Sequence, residues 1–273
     1  MVFLFINKNG LKGHKKSVLN FVLVNLNMLF YGYIRVFPFR FITLVKPLSF
    51  RTPSGFKGLL KNGAHKNELR VEMIIKGKSP REAIQVASFE IDKIANRLSW
   101  AHGMPIKGAK ITGSQKVDIA DGRMEVSLNQ TITIGDSLTT NFYIKGKAAS
   151  KLALNLSNKC TADFEEILIM WKDALGQETD ALKFLLLFRL LEWIHRGEGI
   201  GKERKAVDRW IRLTDPKLPL EKDKNGKSDI SVLTFLRDNI HAKSIDFPFS
   251  QISSHLPRLQ ALVKLCIKEK YGE

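Results

Sequence analysis

From Ala181 to Arg196 the chain reads ALKFLLLFRLLEWIHR, apolar on almost every side of a helix. A helix with one apolar stripe can lie at a surface, but one that is apolar nearly all round has to be enclosed by others. The flanking sequence supplies the enclosure. Thr161 is placed to cap a helix that carries Phe164, Ile167, Leu168 and Trp171 and stops at Gly176; Thr179 caps the central helix, which stops at Gly197. KERKAVDRWIRL (202–213) and DISVLTFLRDNIHA (229–242) follow, the former with Val207, Trp210 and Ile211 expected in the core. The last helix runs from Ser254 to Tyr271, with Leu256, Leu259, Leu262, Val263 and Cys266 on one side. Pro257 is expected in its first turn, where a missing N–H costs nothing. Helices of this length joined by short loops predict an antiparallel bundle.

Upstream, the pattern has a period of two. ELRVEMIIKGK (68–78) places Leu69, Val71, Met73 and Ile75 on one face of a strand. Ser79-Pro80-Arg81-Glu82 then opens a helix with a capping Ser, a Pro at the first position and a Glu that closes the box. Ile84, Ala87, Ile91, Ile94 and Leu98 make its stripe, Gly103 ends it, and His102 reads as a surface or capping histidine. KVDIA and RMEVSLNQTITI flank Asp121-Gly122, a two-residue hairpin signal, and NFYIKG is a further strand. The fold class expected is therefore α+β, a small antiparallel sheet with one helix followed by an all-α bundle. The domain reading is 1–66 as a basic, apolar leader, 67–150 as a small α+β domain and 155–273 as the bundle.

Charge divides the chain unevenly. Eleven of its 44 Lys and Arg precede Glu68, which is the first acidic residue. The pI of 9.9 thus belongs largely to the first quarter, and a general argument from basicity to nucleic acid loses its force. Ser17 to Ile34 is uncharged, with 13 apolar residues among its 18. Three readings stay open for it: a membrane-associated or targeting segment, an element that completes the next domain, or an upstream extension with the native start at Met28 or later. Any membrane contact would rest on this segment alone, and a cytoplasmic location is otherwise expected. Cys160 and Cys266 have no neighbours at metal-ligand spacing, so neither a zinc site nor a disulfide framework is implied and no cofactor is expected. GEGIGK (197–202) follows a helix instead of a strand, which makes it a helix stop and turn and not a phosphate loop.

Two helices carry charge where apolar residues prevail. The central helix holds Arg189, Glu192 and His195, and a charge facing a core needs a partner from another helix. Glu192 is the candidate partner for Arg237. The 229–242 helix contains Leu236-Arg237-Asp238-Asn239-Ile240-His241, in which Arg237 and His241 stand one turn apart on one face beside Leu233, Leu236 and Ile240. A fixed cation and a group that titrates near neutrality are what gripping and protonating a phosphate require.

FRLLEWI, followed some 45 residues later by LRDNIHA, resembles the HEPN-type helical domains and in particular relatives of the methylamine-utilisation protein MauJ. The resemblance covers residues 160–273. It implies a bundle that dimerises, metal-independent RNA cleavage by attack of the ribose 2′-hydroxyl, and RNA as partner. It further implies that Arg237 grips phosphate, His241 is general acid or base, Asp238 orients the site and Asn239 supports it. Three residues separate Arg237 from His241, a shorter gap than the family's. The alternative is a non-catalytic accessory or assembly module, in which the bundle is a protein interface and Arg237 is taken up by Glu192.

Overall fold

A computed structural model describes residues 42–272 except 66–67, 78, 104, 113–115, 121–122, 135–141, 197–201 and 242–248. The Ser17–Ile34 segment and the GEGIG turn lie outside these residues. The fold is α+β, a sheet faced by a helix and then a helical bundle.

The sheet elements are β1 (Ile42–Leu44), β2 (Leu48–Arg51), β3 (Lys57–Asn62), β4 (Glu68–Gly77), β5 (Ile106–Ile111), β6 (Lys116–Ala120), β7 (Arg123–Ile134) and β8 (Phe142–Ile144). The main sheet is antiparallel in the order β2-β3-β4-β7-β5, and β6 also pairs with β7. β7 is long enough to take both neighbours on one edge: its residues 130–134 pair with β5 and 123–127 with β6. Ala120 opposite Arg123 is the register that the Asp-Gly turn predicts. β8, expected from NFYIKG, pairs in parallel with β1 apart from the main sheet. Asn62 ties that pair to β3, since its side chain both donates to and accepts from the backbone of Leu44.

The predicted face of β4 is buried as Leu69, Val71, Met73 and Ile75. Against it lies α1 (Pro80–His102), opened by Ser79 Oγ accepting from Glu82 N at 3.2 Å and closed by Gly103 in the left-handed region at φ 63°. Its buried row is Ala83, Ala87, Ile91, Ile94 and Leu98; Ile84, one residue round the helix from Ala83, is 43% exposed and does not belong to the stripe. Three strands, β1 to β3, lie within the segment expected to be a leader, because Leu44, Phe50 and Leu60 join the sheet's core. α2 (Gly146–Ser157) was not expected, and its Leu152 and Leu156 also fill that core, which carries the unit past residue 150.

The bundle comprises α3 (Ala162–Leu175), α4 (Asp180–Ile194), α5 (Glu203–Thr214), α6 (Val232–His241) and α7 (Phe249–Tyr271), with a short hairpin of β9 (Leu220–Lys222) and β10 (Asp229–Ser231) before α6. Thr161 and Thr179 cap as predicted, accepting from Phe164 N and Leu182 N. Phe184, Leu187, Phe188, Leu190 and Leu191 are fully enclosed, so α4 is the central helix. α7 begins earlier than the sequence indicated, and Pro257 lies inside it instead of in its first turn. Ile252 extends the buried row upstream of the proline.

α1 joins the two parts. Up to Leu98 it serves the sheet, whereas Trp100 stands edge-on to Trp171 (5.4 Å) and Phe164 (6.2 Å) in the bundle core. Arg97, 3% exposed, donates to the carbonyls of Asn155, Leu156 and Asn158 and pairs with Glu165 at 2.8 Å. One guanidinium thereby satisfies orphan carbonyls at the end of α2 and ties α1 to α3.

Candidate functional site

Helices α4, α5 and α6 meet at a chain of alternating charges. On α4, Arg189 Nη1 lies 3.3 Å from Glu192 Oε2. The other oxygen, Glu192 Oε1, accepts from Arg237 Nη2 of α6 at 2.6 Å. Arg237 Nη1 then donates to Asp238 Oδ1 at 3.1 Å, and Arg204 of α5 grips Asp238 with Nε (3.0 Å to Oδ1) and Nη2 (to Oδ2). The two carboxylates are nearly buried, at 5% for Glu192 and 7% for Asp238. Buried charge of this kind persists only when paired, and here each carboxylate serves two arginines. Over the chain opens a cleft of about 310 Å³ lined by Arg189, Glu192, Arg196, Glu203, Arg204 and Arg237. Arg196, one of the lining residues, stands over the Trp193 ring with its guanidinium carbon 3.7 Å from the centroid.

The register that brings these groups together is set at the start of α6. Ser231, which precedes the helix, accepts from Thr234 N, a capping geometry. Its own N–H and hydroxyl both donate to Asp208 Oδ1 of α5 at 2.8 Å. Ser231 and Thr234 are wholly buried, so this polar clamp fixes α6 against α5 and with it Asp238 against Arg204.

The expected residues fare differently. Arg237 and Glu192 meet as the charge argument required, and Asp238 sits between Arg237 and Arg204. Asn239 Nδ2 donates to the Phe235 carbonyl one turn back, on its own helix. His241 is the last residue of α6, and its side chain falls outside the described residues. Val207 and Ile211 are buried as expected, while Trp210 is half-buried and donates to Glu269. Arg204, Arg196 and Glu203 were missed. KERK reads as a solvated helix start, and only the pairing of α5 with α6 reveals its role.

No protein-family model, curated protein or solved structure matches the chain. The cleft therefore rests on its own chemistry: it can hold an anion among fixed guanidinium groups, and His241 follows Arg237 one turn along α6.

Among the described residues, two other titratable groups stand out by their surroundings. Cys266 Sγ approaches His195 Nε2 at 3.7 Å, but burial, then the charge of Glu269, push the thiol up to about 12, far from a reactive thiolate. His102 at the end of α1 is held below its usual range by burial and then by the charge of Lys264. Among the described residues, no group of three His, Cys, Asp or Glu is placed to hold a metal ion, and no helix is long and apolar enough to cross a membrane.

Proposed function

We propose that this chain is a HEPN-like protein that binds RNA at the α4–α5–α6 cleft and cleaves it, with Arg237 on the phosphate and His241 as general acid or base. The observation that carries the reading is the cleft itself: four arginines line it, and their shared carboxylates hold the central guanidinium groups in place before any ligand arrives. Pre-set donors stabilise a phosphate and the charge that develops on it without reorganising. The 2′-hydroxyl is the nucleophile in this chemistry, so the protein's task is to fix the phosphate and move protons. Two copies pairing through the bundle would set two such clefts side by side.

A second reading is favoured by one distance. Arg237 lies 2.6 Å from Glu192 within the chain, the arrangement expected if the arginine is a structural partner and the bundle an interface for another protein. The two are separated by incubating the intact chain, Arg237→Ala and His241→Ala with single-stranded RNA in the presence of a chelator, with folding checked by circular dichroism. The nuclease reading expects cleavage by the parent, binding without cleavage by His241→Ala, and in Arg237→Ala loss of cleavage with binding weakened about tenfold. Equal behaviour of all three proteins removes it and leaves the interface module.

A further inference from the structure

Arg204 belongs to α5, outside the motif helix, yet the carboxylate that fixes Arg237 fixes it too. Asp238 Oδ1 accepts from Arg204 Nε at 3.0 Å and from Arg237 Nη1 at 3.1 Å, and Oδ2 accepts from Arg204 Nη2. A guanidinium has five N–H donors. Arg204 commits two to Asp238, and Arg237 commits one to Asp238 and one to Glu192, which leaves three on each without a partner among the described residues; both side chains line one cleft. Because Asp238 is nearly buried and shared, the spacing of the two forks is set in advance, and little side-chain freedom remains to be lost on binding. The charges limit what can enter. Arg189, Arg196, Arg204 and Arg237 stand against Glu192, Glu203 and Asp238, which leaves a surplus of one positive charge. A phosphodiester carries one negative charge. A terminal or condensed phosphate would bring more negative charge up against three carboxylates.

We infer that Arg204 and Arg237 together seat a single phosphodiester, that Arg204 is a phosphate-binding residue in its own right, and that Asp238 is the positioning residue that sets their spacing. This deepens the RNA reading above and rests on it.

The test is a fluorescence-anisotropy titration of the intact chain with a single-stranded RNA oligonucleotide at several salt concentrations. Arg204→Ala and Arg237→Ala each weaken binding about tenfold, the loss of one charge-assisted contact. The double variant loses less than the two single losses combined, because both groups hold one phosphate. Its slope of log K against log salt falls by ~0.7, the value for one phosphate on a single strand. A structural defect would lower the active fraction alike at every salt concentration and leave the slope in place. Arg209→Ala, which removes an exposed charge from the same helix, leaves affinity and slope at parental values. Parental binding by Arg204→Ala beside a weakened Arg237→Ala overturns this inference and spares the RNA reading. So does a slope change of ~1.4 in the double variant, which would mean two phosphates. Weakening by Arg204→Ala alone overturns the shared seat and the motif together, and an intact chain that binds no RNA overturns both proposals.

Discussion

Removing the Glu192 carboxylate tests whether the charge chain holds the three helices together. Glu192 accepts from Arg189, whose side chain is 58% exposed, and from Arg237, whose side chain is 22% exposed. The first bond joins neighbours on one helix in water and is worth only about 0.3–0.5 kcal/mol. The second is short, charge-assisted and largely shielded, and its loss costs about 1.5–3 kcal/mol. Asp238 still holds Arg237 after the change, so the full penalty of about 3–5 kcal/mol for an orphaned buried charge does not apply. Glu192→Ala is therefore expected to cost about 2–3 kcal/mol. For a chain of this size that lowers Tm by roughly 4–12 °C, at about 2–4 °C per kcal/mol. Urea unfolding followed by far-UV circular dichroism measures it directly. A double-mutant cycle with Arg237→Ala isolates the pair, with a coupling of about 1–2 kcal/mol expected. If the two losses simply add, within about 0.5 kcal/mol, the contact carries no energy of its own and the chain of pairs is no scaffold for the cleft.

Three further outcomes follow from other buried groups. Arg97→Met leaves three carbonyls at the end of α2 and the Glu165 carboxylate without their donor, so unfolding free energy drops by about 3 kcal/mol in a urea titration. Asp208→Ala unclamps the start of α6 and costs about 2 kcal/mol by the same measurement, because the buried Ser231 N–H loses its acceptor. His102 takes up its proton at lower pH in the folded chain than in the unfolded one. The unfolded state thus binds more protons as pH falls through about 6.5, and stability declines there until the folded imidazole also titrates; His102→Gln flattens that part of a Tm-against-pH curve.

What the sequence made legible follows from how local each signal is. Thr161, Thr179, Ser79 and Gly103 act on backbone groups within a turn of themselves, so the helix boundaries they mark could be read one residue at a time. The stripe of α1 was right in period and off by one residue at its start, because Ile84 is the more apolar of two neighbours whereas Ala83 is the one that shares a face with Ala87 and Ile91. β1 to β3 escaped notice for another reason. Their stretch carries no acidic residue and looked unlike a packed unit, yet each strand is short and contributes one buried anchor, Leu44, Phe50 or Leu60. α2 was lost among small and polar residues: GKAASKLALNLS buries only Leu152 and Leu156, and no side chain caps its start.

The candidate site shows the same division at the level of chemistry. Arg237 and Glu192 lie 45 residues apart, but each is a charge in an apolar helix, and burial forces such charges to find each other; the pair could be argued from cost alone. Arg204 gave no such signal, because at the start of a basic helix it would be equally content in water. Its place is decided by Asp208 and Ser231, whose buried bonds fix how α6 lies on α5 and so carry Asp238 to it. A polar clamp of two ordinary residues, neither of which touches the cleft, therefore determines whether the cleft has one fixed guanidinium or two. Arginines that lie in salt water along a helix are interchangeable; two that share a buried carboxylate are not, and that difference separates a binding site from a basic surface.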